Sequence, residues 1–77
     1  MRISLTFHKL IKIEKYENNS IIDVPDKLTV HTLLTLLEIP KNRQESAIVY
    51  VNNEPVWGTK ILKEGDTVRL LPVVSGG

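Results

Sequence analysis

A single stripe of apolar residues constrains the fold of this chain more than any other feature of its sequence. The stripe has the spacing i, i+3, i+4 and i+7, and it comprises Val30, Leu33, Leu34 and Leu37. This spacing predicts an α-helix with one apolar face, as in a helix that lies on a sheet. Thr29 is a suitable N-cap, and Pro40 limits the C-terminal end, because a proline disfavours the α conformation in the residue before it.

The segments on either side of this helix have the patterns of β-strands. Residues 2–7 alternate strictly between polar and apolar side chains, as in a half-buried strand. Turn-forming residues 17–20 separate them from a second strand, and this local connection predicts an antiparallel hairpin. Residues 8–16 either extend the first strand or form a loop over the core, and their pattern allows both. The predicted strands are residues 2–7, 21–24, 47–51, 54–56 and 67–71.

This order of elements predicts an α+β domain of two layers. One main helix packs across one face of a mixed sheet of four to five strands. Asn52 and Asn53 form a turn, as does Gly65, which can adopt a positive φ. We expect Ile61 and Leu62, in the connection before Gly65, to lie under the sheet. No repeat or change in composition divides the chain, so residues 1–77 are predicted to be one domain.

The composition limits the chemistry that the chain can carry. Its 77 residues include no cysteine, which excludes thiol catalysis and cysteine-ligated metal sites. Ten basic and nine acidic residues give a net charge of +1 and no electrostatic reason to expect nucleic acid or a membrane surface as partner. His8 and His31 lack metal-ligand spacing, so we expect no metal and no bound cofactor. The N-terminus does not resemble a signal peptide, and the cytoplasm is the expected compartment.

The C-terminal tail is the candidate reactive segment. We expect it to be flexible, and it comprises Pro72, Val73, Val74, Ser75, Gly76 and Gly77. Pro72 has no N–H group for a strand ladder, so the last strand should stop there and the tail should leave the sheet. Six extended residues reach at most roughly 20 Å. Two glycines can pass a channel that rejects larger side chains, so the Gly77 carboxylate could enter a cleft on another protein. A merely frayed terminus is the alternative.

The sheet should also present a docking face. If Val49 and Val68 point toward the helix, their strand neighbours point away from it. The predicted partner-binding residues on this face are Ile48, Tyr50, Arg69 and Leu71, joined by Pro72, Val73, Val74 and Ser75 of the tail. Outward Tyr and Arg residues are typical anchors of protein interfaces, although scattered apolar residues also occur on ordinary surfaces. We expect Trp57 to pack at the edge of the sheet rather than to bind a partner.

Several features of the C-terminal half resemble a known family. They are the segment 51–56, the turn at Gly65 and Asp66 with the strand that follows it, and the terminal Gly76 and Gly77. Together with the order of elements, they resemble the β-grasp, ubiquitin-like sulfur carriers of the MoaD/ThiS family, most of all the small subunits of molybdopterin synthase. The resemblance covers the whole chain. The chain departs from the family pattern in residues 8–16 and in having one proline rather than two at the start of the tail.

The resemblance implies a carrier that has no catalytic activity alone. An activating enzyme of the MoeB/ThiF type would bind ATP and magnesium and adenylate Gly77, because a free carboxylate is a poor electrophile. A sulfur donor system would convert the adenylate into a thiocarboxylate, and a MoaE-like large synthase subunit would accept the sulfur for molybdenum or tungsten cofactor. Sulfur transfer for the thiazole of thiamine, conjugation of Gly77 to lysines, and an interaction module with an idle tail are the alternatives.

Overall fold

Five strands form one mixed sheet, and a helix covers one of its faces. The computed structural model describes residues 1–73. Its elements are β1 (Arg2–Phe7), β2 (Ser20–Asp23), α1 (Val30–Leu36), α2 (Lys41–Gln44), β3 (Ala47–Val51), β4 (Glu54–Val56) and β5 (Thr67–Pro72). The strand order is β2-β1-β5-β3-β4, with β1 and β5 parallel and the other neighbours antiparallel. The predicted two-layer α+β architecture and the predicted β1–β2 hairpin are confirmed.

The core lies between α1 and the sheet and contains the whole predicted stripe. Val30, Leu33, Leu34 and Leu37 are all buried. They belong to one cluster with the inward side chains of the three central strands, which are Ile3, Leu5, Val49, Val51, Val68 and Leu70. Burial of this apolar surface supplies most of the favourable free energy of folding. The alternation in β1, β3 and β5 therefore fixes which face of the sheet meets the helix.

Helix α1 begins where the sequence predicts. It ends at Leu36, before the limit that Pro40 sets. The Oγ1 atom of Thr29 accepts a hydrogen bond from the backbone N–H of Thr32 at 3.2 Å, which confirms the N-cap. At the other end, Glu38 has φ +61°, a left-handed conformation that stops the helix. Pro40 instead precedes the short helix α2, which the sequence does not predict, and its carbonyl accepts from the N–H of Arg43 at 2.8 Å.

Two turns and a buried carboxylate join the start of β5 to the β3–β4 hairpin. Asn52 and Asn53 have φ +52° and +69°, as a two-residue hairpin turn of type I′ requires. Gly65 has φ +83°, as expected. Asp66 is buried; it accepts hydrogen bonds from the backbone N–H of Lys63 at 2.8 Å and from Nδ2 of Asn52 at 3.0 Å. Asp66 therefore satisfies groups on both sides of the turn.

Two sequence expectations near the edges need correction. Strand β2 begins and ends one residue earlier than predicted, because Ser20 already pairs with Leu5. Leu62 is buried as predicted, but the side chain of Ile61 is 52% exposed, so the expectation that it lies under the sheet is wrong. Ile61 forms an isolated bridge with Thr29, and in this extended geometry neighbouring side chains point in opposite directions.

Residues 8–16 form a loop that packs over the core instead of extending β1. Ile13 is buried and Ile11 packs against the core, whereas the side chain of Leu10 is 62% exposed. The loop is held at its start, where the N–H of His8 donates to the carbonyl of Leu70 at 3.0 Å. It is held again beyond its end, where Asn18 exchanges two side-chain hydrogen bonds with the backbone of Phe7, at 2.8 and 2.7 Å.

Candidate functional site

The first residues of the tail remain attached to the sheet. Strand β5 includes Pro72, which pairs with Ala47, so the prediction that the strand stops before Pro72 is wrong by one residue. The N–H of Val73 then donates to the carbonyl of Ser46 at 2.7 Å. Because the residue after Pro72 makes this bond, Pro72 itself is at a position of the antiparallel ladder where the backbone nitrogen does not face β3. The N–H group that proline lacks is therefore not missed in the pairing with β3. Val74, Ser75, Gly76 and Gly77 lie outside the described residues.

The predicted docking face has the orientation that the sequence indicates. Ile48 lies directly opposite Leu71, and Tyr50 lies directly opposite Arg69, on the face of the sheet away from α1. Ile48 and Arg69 are exposed, and Tyr50 and Leu71 are half-buried. Two neighbouring strands thus bring the four side chains together beside the start of the tail. Their role in binding a partner stays a prediction.

Trp57 does not pack at the edge of the sheet, contrary to the sequence expectation. Its side chain is 86% exposed. It follows the short edge strand β4 and begins a turn in which the N–H of Lys60 donates to its carbonyl at 3.0 Å. The indole lies beside a groove of about 570 Å³ between α1 and the β3–β4 edge, with Leu34 and Val56 among its lining residues. The strand ends before Trp57, so no neighbouring strand covers this side chain.

A second groove lies where the tail leaves the sheet, and we call it the tail-exit groove. Its volume is about 520 Å³. Its walls come from the loop after β1, the connection from α1 to α2, and the ends of β3 and β5; they include Leu10, Ile11, Leu37, Ile39, Ala47 and Pro72. Sequence reasoning missed this groove, because residues 8–16 show no clear period and the wall residues are far apart in the chain.

Several ionisable side chains within residues 1–73 make hydrogen bonds that stabilise the fold. The carboxylate of Asp66 accepts a hydrogen bond from the backbone of the turn. The side chain of Glu64 accepts one from the backbone N–H of Arg2 at 3.0 Å. His31 is exposed on the first turn of α1. In this part of the chain, no group of three or more His, Cys, Asp or Glu residues is placed to hold a metal ion. Nor does it contain a helix long and apolar enough to cross a membrane.

Comparison with solved structures identifies the fold. A chain of the complex of subunits 1 and 2 of molybdopterin-converting factor from Helicobacter pylori 26695 is 28% identical, with a TM-score of 0.66 over 100% of both chains. SAMP1 from Haloferax volcanii is 21% identical, with a TM-score of 0.69 over 100% of both chains. A candidate molybdopterin converting factor subunit 1 from Pyrococcus furiosus is 17% identical, with a TM-score of 0.70 over 95% of this chain and 98% of the other. The β-grasp, ubiquitin-like fold is confirmed.

Comparison with protein families gives a more specific assignment than the fold alone. A search of curated protein sequences gave no match. The model of the ThiS family, however, matches residues 7–77, which include β2 to β5, both helices and the tail. That match covers far more than half of the 77 residues. The resemblance drawn from the Gly65 turn, the strand after it and the terminal glycines is therefore confirmed, and the chain belongs to the ThiS family.

Proposed function

We propose that this chain is a sulfur carrier for molybdenum or tungsten cofactor synthesis, with Gly77 as its reactive residue. The observation that carries the proposal is the match to the ThiS family over residues 7–77. The position of β5 supports it, because the central strand of the sheet continues directly into the tail. The likeness to a chain of molybdopterin-converting factor favours the pterin pathway over the thiazole pathway.

The proposed chemistry takes place on the terminal carboxyl group. The Gly77 carboxylate attacks the α-phosphorus of ATP on an activating enzyme, and pyrophosphate leaves. A hydrosulfide ion from the sulfur donor system then attacks the carbonyl carbon of the mixed anhydride, the C–O bond to AMP breaks, AMP leaves, and the product is a thiocarboxylate. The activating enzyme supplies the ATP and magnesium sites, and this chain holds no cofactor of its own. Its contribution is to hold the reactive end at a defined distance from a rigid domain. We propose the cytoplasm as the compartment.

The partners follow from the same proposal. A MoeB/ThiF-like enzyme adenylates Gly77, a sulfur donor system supplies the sulfur, and a MoaE-like large subunit accepts it. Each must bind the domain beside the tail, and the docking face of Ile48, Tyr50, Arg69 and Leu71 adjoins the contact between Val73 and Ser46. Aromatic and Arg side chains of this kind often dominate binding energies. The tail residues Val74, Ser75 and Gly76 would then bind in the cleft of the enzyme that receives Gly77.

Intact-mass spectrometry tests the proposal directly. The protein purified from its own cells should end at Gly77, and after incubation with ATP, a sulfur donor and the activating enzyme its mass should rise by about 16 Da, as oxygen is replaced by sulfur at the activated carboxyl group. A variant that lacks Gly77 serves as the matched control and should show no rise. An unmodified product under conditions that modify a known carrier would refute the proposal, as would a natural chain that continues past Gly77.

A further experiment separates the pathways. The thiocarboxylate form should restore pterin conversion by a large synthase subunit but should not support thiazole formation. The reverse result would favour the thiamine alternative. Recovery of Gly77 in isopeptide linkage to lysines of other proteins would instead support a ubiquitin-like modifier, which uses the same activated carbonyl carbon.

A further inference from the structure

We propose that the tail-exit groove binds a segment of the activating enzyme that carries an apolar side chain flanked by carboxylates. This inference rests on the proposed function, because it concerns the enzyme that activates Gly77. The groove would be a second contact region, in addition to the docking face on the sheet. It lies among the loop after β1, the α1–α2 connection and the ends of β3 and β5. We assign it to the activating enzyme because every version of the proposed function needs that enzyme.

Part of the groove wall is apolar, and contacts with the core anchor the loop that supplies much of this apolar part. Ile11 and Ile13 pack against the core and anchor the loop, whereas Leu10 is 62% exposed. The N–H of Leu10 donates to Nδ1 of His8 at 3.1 Å, so the backbone at this residue is fixed while its side chain faces solvent. Opposite this loop, Pro40 and Pro72 add rigid apolar surface. A fixed apolar concavity of this kind can accept a protruding side chain with little loss of conformational entropy.

The charges around the groove favour an acidic ligand. Three cationic side chains, those of Lys12, Lys15 and Arg43, line it together with two carboxylates, those of Glu14 and Glu38. The ion pairs found within residues 1–73 join the N-terminus to Asp26 and Arg2 to Asp23, so none involves a charge of the groove. Cations at the rim of an apolar contact attract carboxylates and accelerate association. The partner segment should therefore be apolar at its centre and acidic on both sides.

The position of the groove connects it to the tail. Pro72 lines the groove, and so does Ser46, whose carbonyl accepts the hydrogen bond from Val73. A standard protein interface covers about 800 Å² on each partner. An interface of this size around Val73 is large enough to include the mouth of the groove, which Ser46 and Pro72 place next to the start of the tail. The groove beside Trp57 lies between α1 and the β3–β4 edge, and neither of the two described tail residues, Pro72 and Val73, lines it.

The test is the kinetics of ATP–pyrophosphate exchange by the purified activating enzyme, with this chain as the varied substrate. Leu10→Ser should raise KM by about tenfold with little change in kcat, because it removes a binding anchor and leaves the chemistry intact. Its matched control is Ile21→Ser, since Ile21 is 70% exposed on β2 and lies outside the groove. The double variant Lys12→Glu/Arg43→Glu should raise KM by a similar factor.

The charge control is Lys60→Glu/Lys63→Glu, which alters the net charge equally at the other end of the sheet. Lys60 lies beside the start of α1, and Lys63 lies beside the turn that contacts Arg2. The wild-type KM should rise with salt, and this dependence should be weaker in Lys12→Glu/Arg43→Glu. Circular dichroism and thermal unfolding should show that all variants fold like the wild type.

The outcomes separate the two proposals. Normal adenylation of the wild type, with both groove variants within about twofold of their controls in KM, would overturn the groove assignment and leave the proposed function standing. No adenylation of the wild type by the enzyme would refute the proposed function and, with it, this inference. A rise in KM confined to the groove variants would support both.

Discussion

At the scale of single residues, Asp66 is the polar side chain on which the fold depends most. It is the buried charged residue of the region 1–73, and its two oxygens accept from the Lys63 backbone and from the Asn52 side chain. We expect Asp66→Ala to lower the free energy of unfolding by about 1–3 kcal/mol, because it leaves buried donors without an acceptor. Urea unfolding followed by circular dichroism measures this change.

A matched control for Asp66 is available in the same turn. Glu64 also accepts a backbone hydrogen bond, from Arg2 at 3.0 Å, but it is exposed to solvent. Water can replace that bond, so Glu64→Ala should change the free energy of unfolding by less than about 0.5 kcal/mol. Equal losses for the two variants would show that the burial of Asp66 has no special importance.

Prediction from sequence is least reliable at this same scale. Ile61 and Trp57 are large apolar residues, and both were expected to pack, yet both are exposed. Hydrophobicity alone assigned them to the interior, whereas their positions at the end of β4 and in the connection to β5 depend on where strands stop. The turn residues Gly65 and Asn52 were predicted well, because a positive φ is a local requirement that few residue types meet easily.

At the scale of elements, α1 is stabilised by the burial of its apolar stripe and not by the intrinsic helix propensity of its residues. It has seven residues, which is too short for a stable isolated helix. Leu33→Ala should therefore lower the free energy of unfolding by about 2–5 kcal/mol, because the side chain is fully buried between helix and sheet. Differential scanning calorimetry or chemical denaturation measures the loss.

Leu36 provides the comparison on the same helix. It lies off the stripe and is only half-buried, so Leu36→Ala should cost about 1 kcal/mol or less. A larger loss for Leu36 than for Leu33 would contradict the stripe as the origin of helix docking. All five strands and the start of α1 were predictable within one residue, because apolar periods and turn residues mark them in the sequence. Helix α2, a single turn without an apolar period, was not predictable from the sequence.

At the scale of the whole molecule, the proposed function assigns folding and chemistry to different parts of the chain. Within residues 1–73, the buried hydrophobic core runs from Ile3 to Leu70. Removal of Gly76 and Gly77 should therefore leave the unfolding midpoint in urea unchanged and abolish the rise in mass on activation. A fall in the midpoint by the amount typical of a core substitution would show that the glycines belong to the folded unit.

The overall fold could be predicted from sequence, but its surface cavities could not. The α+β class, the strands and the inward faces follow from periods of two and 3.6 residues, which are local patterns. The tail-exit groove joins Leu10, Leu37 and Pro72, which the topology alone brings together. No local pattern predicts such a juxtaposition, so the outward orientation of the residues in the predicted docking face was predictable and the groove was not.

The central position of β5 also has a mechanical consequence. This strand is hydrogen-bonded to β1 on one side and to β3 on the other, and Val73 follows it directly. Under the proposed function, an enzyme that draws in the C-terminal residues would pull β5 lengthwise. The load would then be shared by many hydrogen bonds in shear instead of opening them one after another, and the domain would withstand repeated pulling without unfolding.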